Sequence, residues 1–231
     1  MKKSTITIII STRINMLLIK LGGSIIAPKN TPGYINKQYL KEFAVTIKKY
    51  DTILIHGTGN VGHGFIKQYG LSSNTYTIGR KQLDTYFQEI DTIIGHKRIR
   101  YPYKDRSKIK KSSIIGGDIT RQYTIISSDT IFAEILSTNN NIQTAIIATD
   151  VDGVLDDKNS VIKTINKNNI HNIHFRSKSG DVTGSMKEKI QQLIKHNTGS
   201  KKIVWICNGY NLENLNNIIT KNQGIGTKIL L

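Results

Sequence analysis

This chain is short of cysteine, and short of acidic residues relative to basic ones. Its 231 residues include one cysteine, Cys207. A single cysteine excludes an intrachain disulfide, and the Cys/His spacing of a zinc site is absent as well. Cys207 lies in Ile-Val-Trp-Ile-Cys, a run that reads as a buried strand, so its expected role is packing and the expected compartment is the cytoplasm. Asp and Glu total 16 against 33 Lys and Arg, a formal net charge of +17. Such an excess attracts anions and speeds phosphorylated ligands inward; it also permits nonspecific nucleic-acid contact. Long apolar runs are missing too: none approaches the roughly 20 residues that a membrane-spanning helix needs. Residues 1–15 begin Met-Lys-Lys and contain Thr-Ile-Thr-Ile-Ile-Ile. Their apolar part is short and has no clear cleavage site for a signal peptide. They are read as an N-terminal extension, with translation from Met16 as the alternative. The Walker Gly-Lys-Ser/Thr pattern and the protein-kinase motif set are both absent.

What is present is a repeating alternation. At 38% hydrophobic and 21% charged residues, the composition is globular, and the length fits one large α/β domain or two small ones. Apolar runs at 16–20, 52–56, 113–116, 144–149 and 202–207 each end in glycine, aspartate or asparagine turns. Helix-like segments lie near 36–50, 62–69, 80–94, 128–138, 184–196 and 211–221. Alternating strands and helices predict a mostly parallel sheet covered on both faces. In such sheets ligands sit outside the carboxyl ends of the strands, where the polar and glycine-rich residues of this chain collect. Residues 97–111 are the most basic stretch, with Tyr101 and Tyr103 among the Lys and Arg. A solvated loop is the plain expectation; a nucleic-acid patch and a flap over an anionic substrate are the alternatives.

Three glycine turns carry the chemistry. Leu-Leu-Ile-Lys-Leu-Gly-Gly-Ser at 17–24 ends a strand on Lys20 and opens a turn whose backbone N–H groups can approach a phosphate. His-Gly-Thr-Gly-Asn-Val-Gly-His at 56–63 follows the second strand and leads into a helix, whose N-terminus is an anion site; His63 would sit at its start. Gly-Asp-Val-Thr-Gly-Ser-Met-Lys-Glu-Lys at 180–189 places Thr183, Lys187 and Lys189 at another helix start. Cations are disfavoured there unless an anion binds. With no evident nucleophile–base pair, these parts point to phosphoryl transfer, which relies on positioning and charge neutralisation.

Together with Lys29, Thr-Asp-Val-Asp-Gly-Val at 149–154, Asn208-Gly209 and Gly226-Thr227, these motifs resemble the amino acid kinase family in order from about residue 16 to the end. Within it they are most similar to the branch that phosphorylates isopentenyl phosphate. The resemblance implies an open three-layer αβα sandwich with a mostly parallel central sheet. It implies one domain over 16–231, with about 16–140 binding the acceptor and about 141–231 the nucleotide. It implies ATP with Mg2+ held through the phosphates, no protein metal ligand, a small phosphorylated acceptor and a homodimer; membrane binding and specific nucleic-acid binding are not expected. Lys20, His63, Asp129, Thr183 and Lys189 would be the catalytic residues, with Asp129 orienting the two lysines and His63 marking a phosphate or phosphonate acceptor. ATP contacts would come from Lys20, Leu21, Gly22, Gly23, Ser24, Gly59, Asp150, Gly153, Ser185 and Lys189. Acceptor contacts would come from Lys29, Thr58, Gly59 and His63. Thr58 and Ser185 stand where the family usually has glycine, and the stretch from His63 to Gly117 is shorter than usual. Ser127-Ser128-Asp129 resembles the fosfomycin-kinase branch as much. A kinase for another small phosphate or phosphonate, such as fosfomycin, is therefore the second reading. A nonenzymatic nucleotide- or nucleic-acid-binding derivative is the third.

Overall fold

The chain is described from a computed structural model covering residues 16–27, 34–70, 72–100, 109, 110, 112–120, 124–176, 186–197, 199 and 201–231. Its centre is β1 (Leu17–Leu21), a five-residue strand buried along its whole length. An uninterrupted apolar run suits a strand covered on both faces. Parallel to it on one side runs β2 (Thr52–His56), and on the other β7 (Thr144–Thr149). Beyond β2 come β4 (Ser113–Gly116) and the short edge strand β3 (Lys97–Arg98). Beyond β7 come β9 (Ile203–Asn208), β10 (Thr227–Leu230) and β8 (Thr164–Ile165). The resulting eight-stranded order is β3-β4-β2-β1-β7-β9-β10-β8. Within this sheet, among the described residues, only the β9–β10 pairing is antiparallel. A separate hairpin pairs β5 (Asp118–Ile119) with β6 (Ile125–Ile126).

Alternation along the strands sorts the core into two layers. Leu17, Ile19 and Leu21 of β1, Leu54 of β2, Ile146 and Ala148 of β7, and Trp205 and Cys207 of β9 face one layer. That layer is closed by α1 (Gly23–Ile26), α2 (Lys37–Ile47), α4 (Ser73–Ile94) and α7 (Leu212–Lys221), with Val61 of α3 (Gly59–Tyr69) against it. Leu18, Ile53, Ile55, Ile115, Ala145, Val204 and Ile206 face the other layer, covered by α5 (Ser128–Thr138) and α6 (Met186–His196). The open αβα sandwich expected from the sequence is thus what the chain forms. Cys207 is buried in the first layer, as its apolar run predicts.

Several local features differ from the sequence reading: α3 begins at Gly59 rather than 62, and α1, β3, β5, β6, β8 and β10 are additional elements. The helix expected near 80–94 begins at Ser73, where Ser72 and Thr75 make a reciprocal capping box. Gly79 lies in its interior. A Cβ there would meet the ring of Phe65 on α3 at 2.6 Å, so the glycine lets the two helices close. The basic stretch is also not wholly a solvated loop. Lys97 and Arg98 form β3, and Arg98 and Arg100 pair with Asp91 and Asp84 on α4 at 2.6 and 2.9 Å. Residues 101–108 and 111, with Tyr101 and Tyr103, lie outside the described residues.

Candidate active site

Lys20 is the even-numbered position of β1 that shares a face with Leu18, so its side chain must point toward α5 and α6. Burying an ammonium in that layer is costly unless it is paired. Its partner is Asp129, whose Oδ1 accepts a short bond from Lys20 Nζ. Asp129 stands in the first turn of α5, where a carboxylate is favoured by the helix dipole. The turn is capped by Ser127, whose Oγ accepts from the Thr130 N–H at 3.2 Å. From the facing helix, Lys189 Nζ approaches Asp129 Oδ2 at 3.8 Å. One carboxylate therefore bridges two ammonium groups from β1 and α6. Burial works against its charge, but Lys20 and then Lys189 outweigh it and hold the Asp129 carboxyl below the usual range. The two ammonium groups and their shared carboxylate line an open cavity that Glu134 and Glu188 also line.

The cavity has a volume of about 1220 Å³ and lies at the carboxyl ends of β1, β2 and β7. Of the residues singled out from the sequence, Lys20, Gly22, Gly23, Ser24, Thr58, Gly59, Asp129 and Lys189 line it together. The turns after β1 and β2 approach closely: a Cβ built on Gly23 would lie 3.6 Å from Gly59 Cα. Gly59 opens α3 with φ +57°, and a Cβ there would meet the Tyr86 hydroxyl at 2.6 Å. Both the backbone and the space require glycine. Thr58 is buried and lies against Gly62, where a Cβ would meet its side chain at 2.3 Å.

Other expected residues fall elsewhere. The Leu21 side chain is in the opposite core layer, which leaves only its main chain near the turn. Asp150 is exposed just after β7, accepting from the Thr149 hydroxyl at 3.1 Å. Gly153 lies against Thr227 and Val161, where a Cβ would meet side-chain atoms at 2.8 Å. Lys29, Thr183 and Ser185 lie outside the described residues. His63 is four residues into α3, and its side chain is outside the described set. Lys187, noted beside Lys189, lies over the Phe175 ring at 5.9 Å, away from the carboxylate bridge.

Cavity residues that sequence reasoning did not single out as contacts include Gly57, Gly117, Ser127 and Ser128, and the ionisable Glu134, Glu188 and His196. The Ser-Ser-Asp order was visible as an N-cap and as a branch resemblance. Its place opposite the two glycine turns follows from α5 crossing the sheet at β1 and β2.

A cationic pair held by one carboxylate, above glycine turns at the carboxyl ends of a parallel sheet, defines a site suited to phosphoryl transfer. The chain belongs to the amino acid kinase family, whose model matches residues 15–99 and 107–208. Isopentenyl phosphate kinase of Methanocaldococcus jannaschii is 32% identical, with 78% of this chain and 87% of that protein covered. Isopentenyl phosphate kinase of Thermoplasma acidophilum is 25% identical over 93% of this chain and 100% of its own length. The crystal structure of the latter in its product complex superposes with a TM-score of 0.72 at 22% identity, covering 93% of this chain and 99% of that one.

Proposed function

We propose that this protein is an ATP-dependent kinase that phosphorylates isopentenyl phosphate to isopentenyl diphosphate. The observation that carries the phosphoryl-transfer chemistry is the Lys20–Asp129–Lys189 bridge beside two facing glycine turns. The acceptor rests on the similarity to two isopentenyl phosphate kinases and on the His-Gly-x-Gly-x-x-Gly-His order at 56–63.

In this reading, ATP enters with Mg2+ held through its phosphates, and the Gly23 N–H with the Ser24 hydroxyl holds those phosphates; the Gly22 N–H, expected to share in this, instead donates to the Ala148 carbonyl at 2.8 Å and ties the turn to β7. The acceptor's phosphate lies against Thr58, Gly59 and His63. An oxygen of that phosphate attacks the γ-phosphorus, the bond to the β,γ-bridging oxygen breaks, and ADP departs with the electron pair. The attacking oxygen is already anionic, so no general base is required. Lys20 and Lys189 neutralise the charge on the transferring group, and Asp129 keeps both lysines aimed. The enzyme acts in the cytoplasm as a homodimer. Among the described residues no helix is long and apolar enough to cross a membrane.

The test is coupled ADP release with isopentenyl phosphate, dimethylallyl phosphate and fosfomycin as acceptors. Fastest turnover with isopentenyl phosphate is expected. Preference for fosfomycin would replace the acceptor and keep the mechanism; no ADP release with any acceptor, together with salt-sensitive binding to RNA or DNA, would replace the enzyme reading altogether. His63→Ala is expected to abolish acceptor turnover while ATP binding survives.

A further inference from the structure

We propose that His56, Arg98 and Asp91 form a positioning relay that fixes the Gly57–Thr58 peptide of the acceptor turn. The inference rests on the acceptor binding against that turn, as argued above.

His56 is the last residue of β2 and is fully buried. A buried imidazole needs partners for both ring nitrogens. Arg98 Nη2 lies 2.9 Å from His56 Nε2. A guanidinium can only donate, so Nε2 must be the nitrogen with the lone pair. The proton is therefore on Nδ1, which lies 2.8 Å from the Gly57 carbonyl oxygen and donates to it. A doubly protonated ring would set one donor against another. Consistent with that, burial first and the Arg98 charge second push the His56 pKa down to about 3, against a smaller opposing pull from the Gly57 carbonyl.

Arg98 is itself immobilised. Its Nε and Nη2 donate to both Asp91 oxygens at 2.6 Å, and its guanidinium lies 4.4 Å from the Phe87 ring centroid. The cluster fills the space over Gly116, where a Cβ would meet Phe87 at 2.9 Å and both Arg98 and His56 at 3.0 Å. An ion pair on α4 and β3 thus dictates a histidine tautomer, and the tautomer holds one carbonyl.

Holding that carbonyl has a consequence for the site. The peptide is planar and trans, so its C=O and N–H point to opposite sides. Fixing the Gly57 oxygen fixes the direction of the Thr58 N–H. Gly57, Thr58 and Gly59 all line the cavity, so the relay sets how this turn presents its donors to an acceptor phosphate. His56 does not touch the reacting atoms; it acts through Gly57.

Two isosteric variants separate this role from simple packing. His56→Asn keeps an N–H near the Nδ1 position and drops the Arg98 contact; His56→Gln keeps an acceptor near the Nε2 position and drops the Gly57 bond. The expected result is a rise of about tenfold in acceptor KM for His56→Gln, the size of one net hydrogen bond. ATP KM should stay within about twofold, and His56→Asn should recover most of the loss. In the wild type, ring 15N NMR should show the neutral Nδ1–H tautomer. Equal effects of both variants on both substrates, a fall in Tm with acceptor KM unchanged, or an Nε2–H ring would overturn the relay. A wild type inactive on every acceptor would instead overturn the kinase reading.

Discussion

At the scale of single residues, the site depends on pairings that neutralise buried charge. Lys20 is tolerated in a buried strand because Asp129 meets it, and Asp129 stays ionised because two lysines flank it. Under the proposed mechanism, replacing Lys20 by Met removes a preorganised charge aimed at the transferring phosphoryl group. A fall of about 10²- to 10³-fold in kcat is expected, the cost of losing one such donor, with a smaller change in ATP KM; steady-state kinetics measure both. His56 gives a pH prediction. Its folded-state pKa is depressed to about 3 from an ordinary 6.5, so the unfolded chain takes up a proton that the folded chain refuses. That contribution to stability is fully present above about pH 6.5 and is lost as the pH falls toward 3, with a slope approaching about 1.4 kcal/mol per pH unit. Urea unfolding at pH 7 and pH 5 should show a steeper acid loss for wild type than for His56→Asn. Equal slopes would mean that the ring titrates freely.

At the scale of elements, α5 connects stability to chemistry. Its N-terminus carries Asp129, and its C-terminus ends on Lys202, a buried residue that donates to the carbonyls of Leu136 and, at 3.1 Å, Asn139. Those carbonyls are among the last of a helix, which have no intrahelical partner. Lys202→Met should cost about 1–3 kcal/mol, the penalty for stranding such groups, read as a lower urea midpoint. Because Lys202 lies at the far end of α5 from Asp129, kcat should change little. The main strands and helices were legible because each is an apolar run or an apolar period bounded by turn residues. The short strands β3, β5, β6 and β8 were not, because two residues carry no period; nor were α1 and β10, at four residues each. Arg98 read as one more basic residue, because nothing local shows that Asp91 and Phe87 on α4 will enclose it.

At the scale of the whole molecule, a net charge of +17 should draw anionic nucleotide and acceptor toward the site. Both substrates are then expected to show kcat/KM falling several-fold between about 0.05 and 0.5 M salt, as the Debye length shrinks from about 14 to 4 Å. The measurement is an initial-rate series at constant Mg2+. A flat series would mean that only the charges at the cavity act on the substrates.

What the sequence determined by itself is the alternation of buried strands with amphipathic helices, the glycine turns, and the residue types a phosphoryl-transfer site needs. These are local properties, written in periodicity and in short-range spacing. What only the tertiary structure decided is which of them meet. The strand order sets β1 between β2 and β7, which brings the turn after Lys20 against the turn after His56. The face of β1 on which Lys20 falls is opposed by α5 and α6, which brings Asp129 and Lys189 to it across more than a hundred residues of chain. The tautomer of His56 comes from the same source, because an arginine distant in sequence chooses where its proton sits.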